Sequence, residues 1–291
     1  SMGGLINTVE SNSVSTTNSS SSEITEFPSG LQKSYLPQTV EGSTQQREYF
    51  VRYPSQPNQS NYPLVFYFHG NGDTAEDFYK SLHEVHELID NNQFIGIFPQ
   101  GLEKSWNLGA EASKADDVAW VLRIIDEISE ISFVDSSSVY AVGISNGAGM
   151  VNKLAKETVS LKGNAPIVSQ QTLELSIIDP FRGVSVFQIN GDDDQLIPLQ
   201  GGFSPQVQHQ FVSARESAEN WALHSKCATV PVTFEDVWGF YPVQAFVYGN
   251  CESNQQVRYH IVEGSGHSGN FGNFAIHTAI WNFFRKFPGG D

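Results

Sequence analysis

Gly143-Ile144-Ser145-Asn146-Gly147 stands between a strand-like apolar run, Val139-Tyr140-Ala141-Val142, and a segment with Met150, Val151, Leu154 and Ala155 at helical spacing. Few backbones can turn from strand to helix within one pentapeptide. Glycine on both sides of the serine removes the Cβ atoms that would collide in so sharp a turn. A strained turn of this kind lifts the serine hydroxyl above the edge of a sheet, and the helix N-terminus adds positive potential beneath it. The plainer alternative is an ordinary strand–helix turn with an N-cap serine. The flanking elements favour the nucleophile, so the pentapeptide constrains fold and chemistry together.

The rest of the chain supports an α/β class. Leu64-Val65-Phe66-Tyr67-Phe68 and Phe94-Ile95-Gly96-Ile97-Phe98 are short apolar runs with abrupt breakers, the signature of buried parallel strands. Glu48 to Tyr53, Ala165 to Val168, Val184 to Ile189, Val243 to Tyr248 and Val257 to Val262 read as further strands. Helices are expected from Asp116-Asp117, with acids at the start, from Ser213 to Ser225 and from Phe274 to Phe284. Strands alternating with helices predict a mostly parallel, doubly wound sheet flanked by helices. Residues 1–40 are expected to be a flexible Ser/Thr/Asn-rich tether and residues 41–291 one catalytic domain. Ser1-Met2-Gly3-Gly4 reads as a cloning scar, which suggests that a natural export signal once preceded it.

Composition narrows the partners. The 291 residues carry 32 acidic and 16 basic side chains, a formal charge of −16. Such a surface disfavours DNA, RNA and anionic membranes, and fits neutral or weakly charged substrates. No apolar run is long enough to span a bilayer. Oligomeric state is not readable from the sequence. Cys227 and Cys251 are the only cysteines; they could pair in an exported protein or stay as buried thiols.

A serine hydroxyl needs a general base, and histidine is the usual one near neutral pH. In a sheet of this kind the order is Ser, then Asp or Glu, then His, each just past a strand. His267, within Gly264-Ser265-Gly266-His267-Ser268-Gly269, fits that place, while His260 lies inside a strand and His277 inside a helix. The orienting carboxylate falls within Asp192-Asp193-Asp194, and Asp194, followed by Leu196-Ile197-Pro198, is the choice over its two neighbours. The triplet lacks the spacing of a calcium loop, and His83-Glu84-Val85-His86 is one residue short of a zinc motif, so no metal is expected. Backbone donors for an oxyanion are expected at Asn146, next after the serine, and in His69-Gly70-Asn71-Gly72, with Asn71 preferred to Gly72.

With these residues in place, the chain from about Glu48 to Phe284 resembles the polyhydroxybutyrate depolymerase and feruloyl esterase group of secreted α/β-hydrolases. The resemblance rests on His69-Gly70-Asn71-Gly72, Pro99-Gln100-Gly101, Ser105-Trp106-Asn107, Asp116-Asp117-Val118, the serine pentapeptide, Gly191 to Pro198 with Gly201-Gly202, Trp221 near Cys227, Tyr248 near Cys251, and Gly264-Ser265-Gly266-His267. It implies the α/β-hydrolase fold, Ser145 as nucleophile, Asp194 as orienter and His267 as base. It implies an ester substrate, polymeric ones included, no cofactor, and export to the medium or cell surface. It places Trp106 beside the acyl site and favours a Cys227–Cys251 disulfide. Ala148 stands where the group often has glycine, and Ser268-Gly269-Asn270-Phe271 replaces its usual Trp-Pro-Gly, a change at the rim that concerns the substrate more than the chemistry. His69 and Phe271 join Trp106 as expected substrate contacts, and Phe203, Trp238, Phe240, Tyr241 and Phe274 are further candidate wall residues; for any single one of these rings except Trp106, Phe271 included, core is the favoured reading. A serine peptidase or amidase on the same scaffold, and a non-catalytic binding relative, are the competing readings.

Overall fold

The computed structural model describes residues 27–289. The chain opens with β1 (Gly30–Val40), β2 (Ser43–Tyr53) and β3 (Tyr62–Phe68), then α1 (Ala75–Ser81), α2 (His83–Asp90), β4 (Ile95–Pro99) and α3 (Asp117–Ile128). It continues with β5 (Val134–Ile144), α4 (Asn146–Glu157), β6 (Gly163–Ile167), α5 (Leu173–Ser176) and β7 (Ser185–Gly191). A small hairpin of β8 (Gly202–Ser204) and β9 (His209–Phe211) precedes α6 (Ala214–His224). The last elements are β10 (Val232–Trp238), β11 (Tyr241–Tyr248), β12 (Val257–Val262) and α7 (Ile276–Phe284).

Ten strands form one sheet in the order β1-β2-β4-β3-β5-β6-β7-β12-β11-β10. Strands β4 to β12 within that order pair in parallel, and each edge is closed by antiparallel strands. This is the α/β-hydrolase fold, with the parallel, doubly wound core that the apolar runs predict. Those runs are apolar throughout because both faces are covered. Leu64, Phe66 and Phe68 of β3 join the core cluster of α3 and α4, whereas Val65 and Tyr67 join that of α1, α2 and α7. From β3 the chain crosses to β4 on one side, and from β5 it crosses to β6 on the other. The ends of β3 and β5 therefore flank the point where winding reverses, the usual place for a site in an open sheet of this type.

The tether expectation needs correction at its C-terminal end. Residues 1–26 lie outside the described residues, but Gly30–Val40 is a strand, paired with β2 from Gly30↔Tyr53 to Val40↔Ser43. It is an edge strand, hydrogen-bonded on one side only, so it tolerates Pro37 and a largely polar composition. No helix among the described residues is long and apolar enough to cross a membrane.

Cys227, just past α6, is joined to Cys251, just past β11, by a disulfide. The bridge closes a loop with a sequence separation of 24 that contains the edge strand β10. Replacing both cysteines with serine is expected to lower the unfolding free energy by about 3 kcal/mol, read from urea melts, because the unfolded chain regains the freedom of that loop.

Lys156 of α4 is buried, its ammonium donating to Ile178 O and Asn220 Oδ1, both at 2.8 Å. Burial pushes this group from its ordinary 10.5 down to about 8, against the attraction of Asp179. The unfolded chain thus keeps the proton at pH values where the folded chain has lost it. Lys156 costs stability below pH 8, and that cost fades as pH rises toward 10.5. Between pH 7 and pH 10 the parent protein is expected to gain about 2 kcal/mol of stability relative to Lys156→Met, measured as the difference between paired urea melts.

Candidate active site

Ser145 caps α4 with φ 56° and ψ −115°, a strained backbone for any residue but glycine. The turn closes because its neighbours lack side chains. A Cβ on Gly143 would sit 2.0 Å from Gly147 O, and one on Gly147 would sit 2.2 Å from Phe68 O. The hydroxyl is left half-exposed at the end of β5.

His267 comes from the loop after β12, and its Nε2 lies 2.8 Å from Ser145 Oγ. Its Nδ1 lies 2.7 Å from Asp194 Oδ2, in the loop after β7. An ionised carboxylate can only accept, so Nδ1 carries the ring proton and donates to Asp194, and Nε2 accepts from the serine hydroxyl. Asp194 is held in turn: its Oδ1 accepts the N–H groups of Leu196 and Ile197, each at 2.9 Å. The two neighbouring acids stand apart from the imidazole. Asp192 is exposed and accepts the Gly264 N–H at 2.7 Å, and Asp193 is exposed and faces Gln195. The Asp193 N–H donates to Ser265 O, and a Cβ on Gly191 would lie 2.2 Å from that same carbonyl, so the loops bearing Asp194 and His267 are in backbone contact.

The loop after β3 passes close to the serine. A Cβ placed on Gly70 would lie 3.8 Å from Ser145 Cβ. The loop is a tight turn, with Asp73 N–H donating to Gly70 O and Gly72 at φ 82°, as a type II turn requires of its third residue. The Gly72 N–H is spent on Lys104 O at 2.8 Å. Among the described residues, no acceptor of the chain takes the N–H of Asn71 or of Asn146. Of the two candidate donors in this loop, Asn71 is therefore the free one.

The three expected substrate contacts are corrected. Trp106 and His69 are 0% exposed and Phe271 is 1% exposed, so none can touch a ligand in this conformation. Trp106 packs edge-on against Phe68 and donates its indole N–H to His69 O at 2.9 Å. His69 accepts the Gly101 N–H at Nε2 and donates from Nδ1 to Gly70 O, a neutral ring whose pKa burial lowers further. Phe271 packs on Trp238, itself core. Of the other candidate wall residues, Tyr241 and Phe274 are half-buried, while Phe203 and Phe240 are exposed.

At Asn146 the sequence singles out the backbone amide and not the side chain. The Asn146 side chain grips the backbone of Trp106, accepting its N–H at Oδ1 (2.7 Å) and donating to its carbonyl from Nδ2 (3.2 Å). The only local signal is an asparagine directly after the serine, which says nothing about a partner 40 residues upstream. No cluster of three or more His, Cys, Asp or Glu able to hold a metal ion exists among the described residues. His83 and His86 lie on α2, and the ring of His86 is bound to Tyr79 O.

No family model matches the chain. It is 25% identical over 253 residues to feruloyl esterase B from Piromyces equi, covering 83% of this chain but 45% of that protein, so the chain spans less than half of that relative. It is 26% identical over 251 residues to the probable feruloyl esterase C of Aspergillus terreus, covering 82% of the chain and 83% of the relative. An acetyl xylan esterase from Aspergillus awamori superposes with a TM-score of 0.60 at 15% identity, over 82% of this chain and 94% of that one. The chain is thus a protein of the α/β-hydrolase fold whose relatives in sequence include proteins named feruloyl esterase B and probable feruloyl esterase C.

Proposed function

We propose that the chain hydrolyses carboxylic esters through an acyl-enzyme on Ser145. The observation that carries the reading is the unbroken line from Ser145 Oγ through His267 to Asp194, at 2.8 and 2.7 Å. Oγ attacks the ester carbonyl as His267 Nε2 takes its proton, and Asp194 stabilises the imidazolium that results. The carbonyl oxygen becomes an oxyanion and accepts from the N–H groups of Asn71 and Asn146. Collapse of the tetrahedral adduct breaks the bond to the alkoxy oxygen, which leaves with the proton from Nε2. Water then adds to the acyl carbon by the same route in reverse, freeing the acid and restoring the serine.

The names of the relatives favour feruloyl esters and acetyl esters of xylan as the substrates; aliphatic and aromatic polyesters come next, on the resemblance in the sequence motifs alone. The disulfide supports export, since such bonds persist in oxidising compartments. The test is labelling with a fluorophosphonate, followed by turnover of methyl ferulate, acetylated xylan, polyhydroxybutyrate and a p-nitroanilide. Labelling at Ser145 with ester turnover above anilide turnover supports the reading. An unlabelled folded protein, or faster cleavage of the anilide, overturns it.

A further inference from the structure

Arg47 of β2 and Asp117 of α3 form an ion pair at 2.9 Å, with side chains 1% and 0% exposed. Burial lowers the pKa of the guanidinium and raises that of the carboxyl, so the pair stands in the core at a desolvation cost that apolar residues of equal volume would avoid. Its stabilising value is accordingly small; Arg47 also donates to Gln38 Oε1 at 2.7 Å and lies over the Trp120 ring, and two further contacts lead toward the site. Asp117 Oδ2 accepts the Asn107 N–H at 2.7 Å, and Arg47 also donates to Gln100 O at 3.4 Å. Asn107 follows Trp106, whose backbone is gripped on both sides by the Asn146 side chain and whose indole is tied to His69 O. His69 is bonded to Gly101 N–H and to Gly70 O. One set of contacts therefore runs from the buried pair to Asn146 itself and to the residue before Asn71.

We propose that the Arg47–Asp117 pair and the Asn146 side chain are positioning groups that hold the Asn71 and Asn146 amides in register for the oxyanion, a role that rests on the ester-hydrolase reading above. The pair anchors the Ser105-Trp106-Asn107 segment from below, and Asn146 transmits that anchor to the first turn of α4. Neither group reaches the reacting atoms. A misplacement of even an ångström at an oxyanion hole costs orders of magnitude in rate, so a rigid anchor has a function that its own stability contribution does not measure.

The double replacement Arg47→Met/Asp117→Leu separates positioning from stability, because removing both charges leaves neither one buried alone. The melting temperature is expected to stay near that of the parent or rise. On p-nitrophenyl acetate, kcat is expected to fall about tenfold to a hundredfold with KM little changed, and affinity for a boronic acid, which forms a tetrahedral adduct on serine, should fall in step. A folded double variant with the parent's kcat overturns the proposal. If the double variant does not fold, Asn146→Ala decides, since it keeps the amide donor and loses only the grip on Trp106: a matching fall in kcat supports the role and an unchanged kcat overturns it. Turnover at the parent's rate in Ser145→Ala would instead sink the acyl-enzyme reading on Ser145, and the positioning role with it.

Discussion

Ser145→Ala is expected to fold as the parent does and to lose ester turnover by about 10⁶-fold, the scale on which loss of a nucleophile within such a triad is felt. Removing one hydroxyl from a half-exposed turn takes away no core contact, and Gly143 and Gly147 still permit the turn, so the melting curve should barely move. On the proposed mechanism slow background turnover should survive, because the amides of Asn71 and Asn146 would still polarise a bound carbonyl. The assay is p-nitrophenyl acetate hydrolysis with fluorophosphonate labelling in parallel. Parent-like rates in the alanine variant would assign the nucleophile elsewhere.

Asp194→Asn is expected to cost about 10⁴-fold in kcat at near-native stability, for a reason visible in the hydrogen bonds. Asp194 Oδ1 already accepts two backbone N–H groups, from Leu196 and Ile197. An asparagine must keep its carbonyl oxygen there, or leave both donors facing an NH2 group. Its amide nitrogen then faces His267 Nδ1, where Oδ2 stood at 2.7 Å. The imidazole has to accept at Nδ1, so its proton moves to Nε2, the atom that should receive the serine proton. The base is present but holds its proton at the wrong nitrogen. Crystals of the variant should show the three side chains unmoved while kcat collapses; a rate within tenfold of the parent would show that another carboxylate orients the ring.

The elements that were legible from sequence are those whose evidence is local. Val139 to Gly147 contains strand, turn and helix in one stretch, and the loops at Asp194 and His267 each follow a recognisable apolar strand. Roles that depend on burial were not legible. Trp106 was expected at the acyl site from the family resemblance, and His69 and Phe271 with it at the substrate; all three are buried. A ring that lines a cleft and a ring that supports the cleft from behind have the same sequence neighbours. Strand β1 was read as tether because Pro37, Gln38 and Thr39 suppress the strand pattern, and only its pairing with β2 reveals it. The edge strand β10 was likewise missed: nearly all of it is exposed, so its apolar residues show no inward-facing set. Arg47 and Asp117 are 70 residues apart, and neither shows the other in its surroundings.

Strand β12 has a consequence for how the protein comes to be active. Among the described residues it is the last strand, yet it lies inside the sheet, between β7 and β11, and His267, the proposed base, sits in the loop that follows it. During synthesis Ser145 and Asp194, the proposed nucleophile and orienting acid, emerge before the imidazole, which is 122 residues beyond the serine. Because β11 and β10 join the sheet only through β12, the sheet stays incomplete until that strand is placed, and on the proposed mechanism turnover would report the end of assembly as well as its chemistry.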